Sequence, residues 1–270
     1  MPHEKRQFEN GELYHVTTRR VGDELFFLDE SDYFRGIFSI YEFNNSNPVD
    51  IYKRRLERVR FKVIAKKVQA EGRAALLELP EFQIREGQPF PILVEPDKRN
   101  KFVEVLAFCL MPNHIHLLLK QLVDKGISLF MQKFGSGFAT FFKERYGLKK
   151  KGHFYQDRFN AVHIENDNQL RTAFVYVHTN PVALIEPGWK EKGIFDPVRA
   201  KKFLEEECRW SSYWDYLGKK NFPSVTKRDF LLEIMGGPEG CRKAVNDWID
   251  YKGEGSERFA AFKNLGLPLD

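Results

Sequence analysis

Two histidines one residue apart, His114 and His116, are the first residues of this sequence that could do chemistry. Side chains alternate along an extended chain, so both imidazoles take one face while Ile115, Leu117 and Leu119 take the other. Two imidazoles so placed can share a divalent cation, with a third ligand from elsewhere in the chain. Alone, the pair is a weak signal, more often surface or core histidines that hold no metal. A second pattern bears on the choice. From Asn168 to Asn180, Leu170, Phe174, Val177 and Pro181 form an apolar helical stripe, and Gln169, Thr172, Tyr176 and Asn180 form a polar one about 100° away. Tyr176 and Asn180 are therefore neighbours one turn apart. An amide oxygen can coordinate a hard cation, and a phenol beside it could attack a phosphate held there. The helix alone also fits a packing tyrosine followed by an asparagine that ends the helix before Pro181.

The elements that must position these residues follow from periodicity. Glu12 to Arg19 reads as a strand. Ser31 can cap a helix whose apolar positions are Phe34, Ile37, Phe38 and Tyr41, and Asn44 to Pro48 breaks it. A basic, helical stretch to about Glu78 and a Pro/Gly-punctuated segment to Asp97 come next. Phe102 to Met111 is a strand-like apolar run, turned by Pro112-Asn113 into a second strand, His114 to Lys120. Ile127, Phe130, Met131, Phe134, Phe138 and Phe141 mark a helix ended by Gly147. Phe154 to Ile164 reads as a strand, and helical patterns recur from Arg228 to Met235 and from Glu239 to Tyr251. With residues 45–100 set aside as an insertion, the order predicts an α+β unit with a hairpin-centred, mostly antiparallel sheet covered by helices. The expected organisation is one domain over residues 1–217 and a helical C-terminal extension over 218–270.

Composition narrows the function classes. The 270 residues are 42% hydrophobic and 30% charged, an ordinary globular balance, and no apolar run approaches the length of a membrane span. The N-terminal residues are polar, unlike a secretory signal. Three scattered cysteines exclude a disulfide framework and a thiolate zinc site, so the cytoplasm is the expected compartment. No GxxxxGK[ST] loop is present to bind a nucleotide for hydrolysis. The net charge of +5 is modest, but basic residues cluster between Lys53 and Arg73 and again among Lys143, Arg145, Lys149, Lys150, Lys151 and Arg158. The second cluster is interleaved with Phe141, Phe142, Tyr146, Phe154 and Tyr155, which suits single-stranded nucleic acid, where cations track phosphates and rings stack on bases. Each cluster also fits a solvated helix face.

Met111-Pro112-Asn113-His114-Ile115-His116-Leu117-Leu118-Leu119 resembles the metal-binding strand of HUH transposases with a single catalytic tyrosine. Tyr176-Val177-His178-Thr179-Asn180-Pro181-Val182 resembles their nucleophile helix, especially that of the REP-associated tyrosine transposases. Tyr14-His15-Val16-Thr17 with Arg19 is similar to the first strand of that family. Gly152-His153-Phe154-Tyr155-Gln156-Asp157-Arg158-Phe159 is similar to the segment before the nucleophile helix, and Trp210-Ser211-Ser212-Tyr213 to a closing motif. The five motifs stand in the family's order over Glu12–Gly218. The insertion and the tail beyond Gly218 depart from it.

The resemblance implies a ferredoxin-like HUH nuclease acting on single-stranded DNA, with hairpin or palindromic sites as the expected substrate. It implies Tyr176 as nucleophile, with His114, His116 and Asn180 as ligands of Mg²⁺ or Mn²⁺. Arg19, Arg158 and Lys149, Lys150 and Lys151 are the candidate DNA contacts. Tyr155 is a lesser candidate nucleophile. His178 is expected as a packing or DNA-contact residue, and His15 and His163 as strand residues with structural hydrogen bonds. The competing reading is a hairpin-binding protein of the same descent that no longer nicks DNA. A monomer and a homodimer are equally compatible with the sequence.

Overall fold

The apolar runs flanking Pro112-Asn113 pair as an antiparallel hairpin at the heart of a four-stranded sheet. The computed structural model describes residues 7–71, 83–85, 92–94, 97–148 and 152–253. In chain order the elements are β1 (Leu13–Arg19), α1 (Glu30–Glu42), α2 (Ile51–Glu71), β2 (Gln83–Arg85), β3 (Ile92–Val94), β4 (Val103–Leu110), β5 (His114–Gln121), α3 (Gly126–Arg145), β6 (Asn160–Ile164) and α4 (Asp167–Thr179). They are followed by α5 (Trp189–Lys192), α6 (Pro197–Lys202), α7 (Tyr213–Tyr216), α8 (Asp229–Met235) and α9 (Gly237–Gly253). Two compact units result, one of residues 1–44 with 101–270 and one of residues 45–100.

The larger unit has the sheet order β4-β5-β1-β6 with every neighbouring pair antiparallel. Read as β-α-β-β-α-β with the insertion removed, this is the ferredoxin-like arrangement expected from the sequence. Both faces of the sheet are covered. Val16, Val105, Phe108, Ile115, Leu117 and Leu119 pack beneath α1 and α3, which contribute Ile37, Ile40, Phe130, Phe134 and Phe138. On the other face Leu106, Ala107, Cys109 and Leu118 meet Leu170, Phe174 and Val177 of α4. Leu231, Met235, Cys241, Val245 and Ile249 of α8 and α9 are buried in the same cluster. Double coverage explains the apolar run Val105–Leu110 of β4, and a register shift between Val105 and Ala107 re-aims its alternation.

Several local expectations need correction. Helix α1 is capped by Asp29, whose carboxylate accepts from the Asp32 amide, so Ser31 lies inside the helix. Its buried face holds Gly36, Ile37 and Ile40, whereas Phe34 is 45% exposed. The cause is Gly36: a Cβ there would sit 2.8 Å from the Phe27 ring, so the closest approach falls where the side chain is smallest. In α3 the last buried ring is Phe142, with Phe141 only packed at its margin. Strand β6 begins at Asn160, and Tyr155 reaches the sheet only through an isolated bridge to Arg20.

In the smaller unit α2 presents Lys53, Arg60, Lys62, Lys66 and Lys67 at its exposed surface, while Arg54 pairs with Glu57. Strands β2 and β3 pair antiparallel, Ile84 opposite Leu93. The expected continuation of the helix to Glu78 lies outside the described residues.

Candidate active site

Strand β5 brings His114 and His116 to the sheet face covered by α4. Directly across from them on β1 stand Arg19 and Thr17, and His15 stands opposite Leu118. Directly opposed residues in a sheet project to the same side, so His15, Thr17 and Arg19 share the histidine face. On β6, Asn160 opposes Thr17. Helix α4 starts at Asn166, whose side chain caps it by accepting from the Gln169 amide, and ends where the Asn180 amide donates to the Tyr176 carbonyl. Tyr176 and Asn180 are thus one turn apart, and Asn180 opens the short 3-10 turn Asn180–Leu184 carrying Pro181.

These elements converge on His116, which is fully buried. Its Nε2 lies 2.8 Å from Asn180 Nδ2, and its Nδ1 lies 3.1 Å from His15 Nε2. With the Asn180 amide donating to Nε2, the His116 proton resides on Nδ1 and is donated to His15. The His15 and His116 rings stack with centroids 5.3 Å apart, and the Tyr176 ring stands edge-on to both, 5.7 and 5.5 Å away. The His114 ring is 4.8 Å from that of His116, and its Nδ1 lies 2.7 Å from Asn113 Oδ1. Tyr176 is 8% exposed, and its hydroxyl accepts a 3.1 Å hydrogen bond from Lys190 of α5.

The donor set fits a hard divalent cation. With Nδ1 of each histidine turned to a neighbour, Nε2 is the nitrogen that could face a cation. His116 Nε2 and the Asn180 amide lie 2.8 Å apart, so both could face one cation. A half-turn of the Asn180 amide presents oxygen in place of nitrogen. Among the described residues no three His, Cys, Asp or Glu side chains are grouped so as to hold a metal ion. His15 bonds the other nitrogen of the His116 ring, so it holds that ring from behind.

The remaining sequence candidates are placed variously. Tyr155 is held in the fold: its hydroxyl donates to the Gly135 carbonyl at 2.9 Å, and burial pushes its pKa well up. His178 is fully buried, shares a 2.8 Å hydrogen bond with Ser212 Oγ, and is held down to a pKa of about 3 by burial. It is a packing residue. Ser212 also accepts from the Phe108 amide, so the Trp210–Tyr213 segment ties α4 to β4. His163 pairs with Glu12 at the surface. Arg19 is half-buried at the end of the histidine face, and Arg158 is exposed ahead of β6. Lys149, Lys150 and Lys151 lie outside the described residues. Arg145 of the same basic cluster is engaged by Asp29 and Asp32. Sequence reasoning passed over Lys190. Its one local signal is the pair of glycines bracketing α5, Gly188 and Gly193, both at positive φ, which marks a tight turn without saying what the turn approaches.

Residues 93–180 match the family model described as "Transposase IS200 like". The match ends on Asn180 and spans β4, β5, α3, β6 and α4, hence His114, His116 and Tyr176 as well. No curated protein matches the chain. A solved structure described as "Structure of the REP associates tyrosine transposase bound to a REP hairpin" aligns over 85% of this chain and 93% of its own, at 14% identity and a TM-score of 0.38. Among the described residues no helix is long and apolar enough to cross a membrane.

Proposed function

We propose, with residues 93–180 as a segment of IS200-like transposase type for premise, that this chain is a transposase that cleaves and rejoins single-stranded DNA through Tyr176. The observation that supports this most is convergence. A phenol, two imidazoles and an amide, from a strand and a helix far apart in sequence, meet within hydrogen-bond or ring-contact distance at one buried place.

In the proposed reaction the Tyr176 hydroxyl oxygen bonds to phosphorus as the bond from phosphorus to the 3′-oxygen breaks. The phenolic proton is lost to solvent and the 3′-oxygen takes one up. The products are a 5′-phosphotyrosine and a free 3′-hydroxyl. A phenol, with a pKa near 10, leaves phosphorus more readily than an alkanol, so a 3′-hydroxyl can reverse the step on another strand. His114, His116 and Asn180 would hold Mg²⁺ or Mn²⁺, which when bound polarises the phosphodiester and neutralises developing charge. The stacked ring of His15 fixes the orientation of His116, and the α4 backbone fixes Tyr176 relative to Asn180. The substrate is a single strand folded as a hairpin, with exposed cations such as Arg158 on its phosphates.

The test is a labelled hairpin oligonucleotide with a single-stranded flank, incubated with Mg²⁺ or Mn²⁺ and with EDTA. Cleavage with the cation that leaves the 5′-phosphate end on protein is the expected result. Cleavage that persists in EDTA would remove the metal assignment, and hairpin binding without any cleavage would leave a binding protein.

A further inference from the structure

We infer that Lys190 is a further catalytic residue: its ammonium holds the Tyr176 oxygen and carries the positive charge that oxygen needs whenever it is anionic. This rests on the proposal that Tyr176 is the nucleophile. Lys190 Nζ donates to Tyr176 Oη at 3.1 Å and lies 5.1 Å from the centre of its ring. His15 from β1, His116 from β5 and Lys190 from α5 all approach the phenol. Both rings stand nearly perpendicular to the tyrosine ring. Among these contacts, only Lys190 brings a cation to its oxygen.

The placement of Lys190 is built into the fold. Trp189, its neighbour, is buried in the same core cluster as α4. The Lys190 carbonyl lies 3.4 Å from Lys252 Nζ, and the Ile194 amide donates to the Lys252 carbonyl at 3.0 Å. Gly193 permits that approach: at φ +85 a Cβ would sit 2.6 Å from the Lys252 carbonyl oxygen. The end of α9, outside the matched span, therefore fixes the turn that carries the cation. Lys190 is ten residues past the end of the family match.

In the forward step the oxygen of Tyr176 loses its proton and forms the bond to phosphorus as the bond to the 3′-oxygen breaks. In the reverse step the bond from Tyr176 to phosphorus breaks and its electron pair returns to that oxygen. A fixed ammonium beside it favours the ionised phenol in one direction and the departing phenolate in the other, without moving a proton itself. A cation placed in advance where charge develops is worth most in such a water-poor setting.

The experiment compares wild type, Lys190→Met and Lys190→Arg in single-turnover adduct formation and in rejoining by an added 3′-hydroxyl strand. Hairpin affinity is measured in EDTA and thermal stability alongside. Lys190→Met keeps the stem and removes the charge, so both rates should fall about a hundred-fold while affinity and melting temperature hold. Lys190→Arg should restore most of the loss. Wild-type rates in Lys190→Met would overturn the inference, as would equal impairment of the two variants, which indicates packing. A fall in hairpin affinity matching the fall in rate would make Lys190 a DNA contact instead. If wild type forms the adduct, any of these failures touches Lys190 alone. A wild type that cleaves without an adduct overturns the nucleophile reading and this inference with it.

Discussion

His114 and His116 are given the same chemical role, yet the structure predicts that they differ sharply as parts of the fold. His116 is fully buried, and its ring hydrogen-bonds Asn180 at 2.8 Å and His15 at 3.1 Å, both partners themselves buried. His116→Ala takes one hydrogen bond from each of two buried polar groups, at about 1–3 kcal/mol apiece before any water enters the vacated space. A total near 3 kcal/mol is expected. His114 sits at the start of β5 and is 8% exposed, and its side-chain bond at 2.7 Å is to the adjacent Asn113. His114→Ala should cost about 1 kcal/mol. For a chain of this size each kcal/mol moves the melting temperature by about 2–4 °C. His116→Ala should therefore melt about 6–12 °C below wild type and His114→Ala only a few degrees below. Thermal denaturation in EDTA reads this without any contribution from metal. Both variants should also lose cation-dependent cleavage. Equal melting temperatures for the two variants, or wild-type stability in His116→Ala, would refute the hydrogen-bond arrangement on which the site is built.

Other outcomes follow from the same structure. His178 has its pKa lowered from 6.5 to about 3 by burial, so the unfolded chain binds the extra proton and stability falls as pH drops below 6.5. Its share is about 2 kcal/mol lost between pH 7.5 and pH 5. Urea denaturation at the two pH values should show that slope, and a flatter one in His178→Gln. The protein should bind a single-stranded hairpin more tightly than blunt duplex of the same sequence, with affinity falling steeply as salt rises. Equal affinity for the two in a titration would favour a generic duplex binder. Tyr155→Phe should leave covalent attachment to DNA intact, because its hydroxyl is committed to the Gly135 carbonyl. Loss of attachment in that variant would move the nucleophile.

What the sequence made legible was what periodicity and local spacing control. The alternation through His114, Ile115 and His116 and the helical spacing of Tyr176 and Asn180 each depend on one element, and both appear as expected. Features set by tertiary approach were hidden. In α1 the closest approach is Gly36 against Phe27, so a pattern of bulky residues shares Ile37 with the buried face but misplaces Phe34. Tyr155 lies in an extended-looking segment, yet only its bridge to Arg20 joins the sheet. The second contact of His116, to His15, needs β1 and β5 as neighbours, a fact of topology. Lys190 is hidden for the same reason. It stands fourteen residues from Tyr176 in sequence and is brought to it by a turn held against α9.

Bonding of the Tyr176 oxygen to DNA can be detected directly. Wild type and Tyr176→Phe are incubated with Mn²⁺ and a hairpin oligonucleotide labelled on the 5′-phosphate side of the cleavage site, then denatured, digested and mapped by mass spectrometry. Tyr176→Phe removes one hydroxyl and the hydrogen bond from Lys190 while the ring still packs, so hairpin binding should be retained. A nucleotide-bearing peptide containing Tyr176 is expected in wild type, and no adduct in the variant. An adduct that survives in Tyr176→Phe, or wild-type cleavage with no protein-linked product, would contradict Tyr176 as the nucleophile.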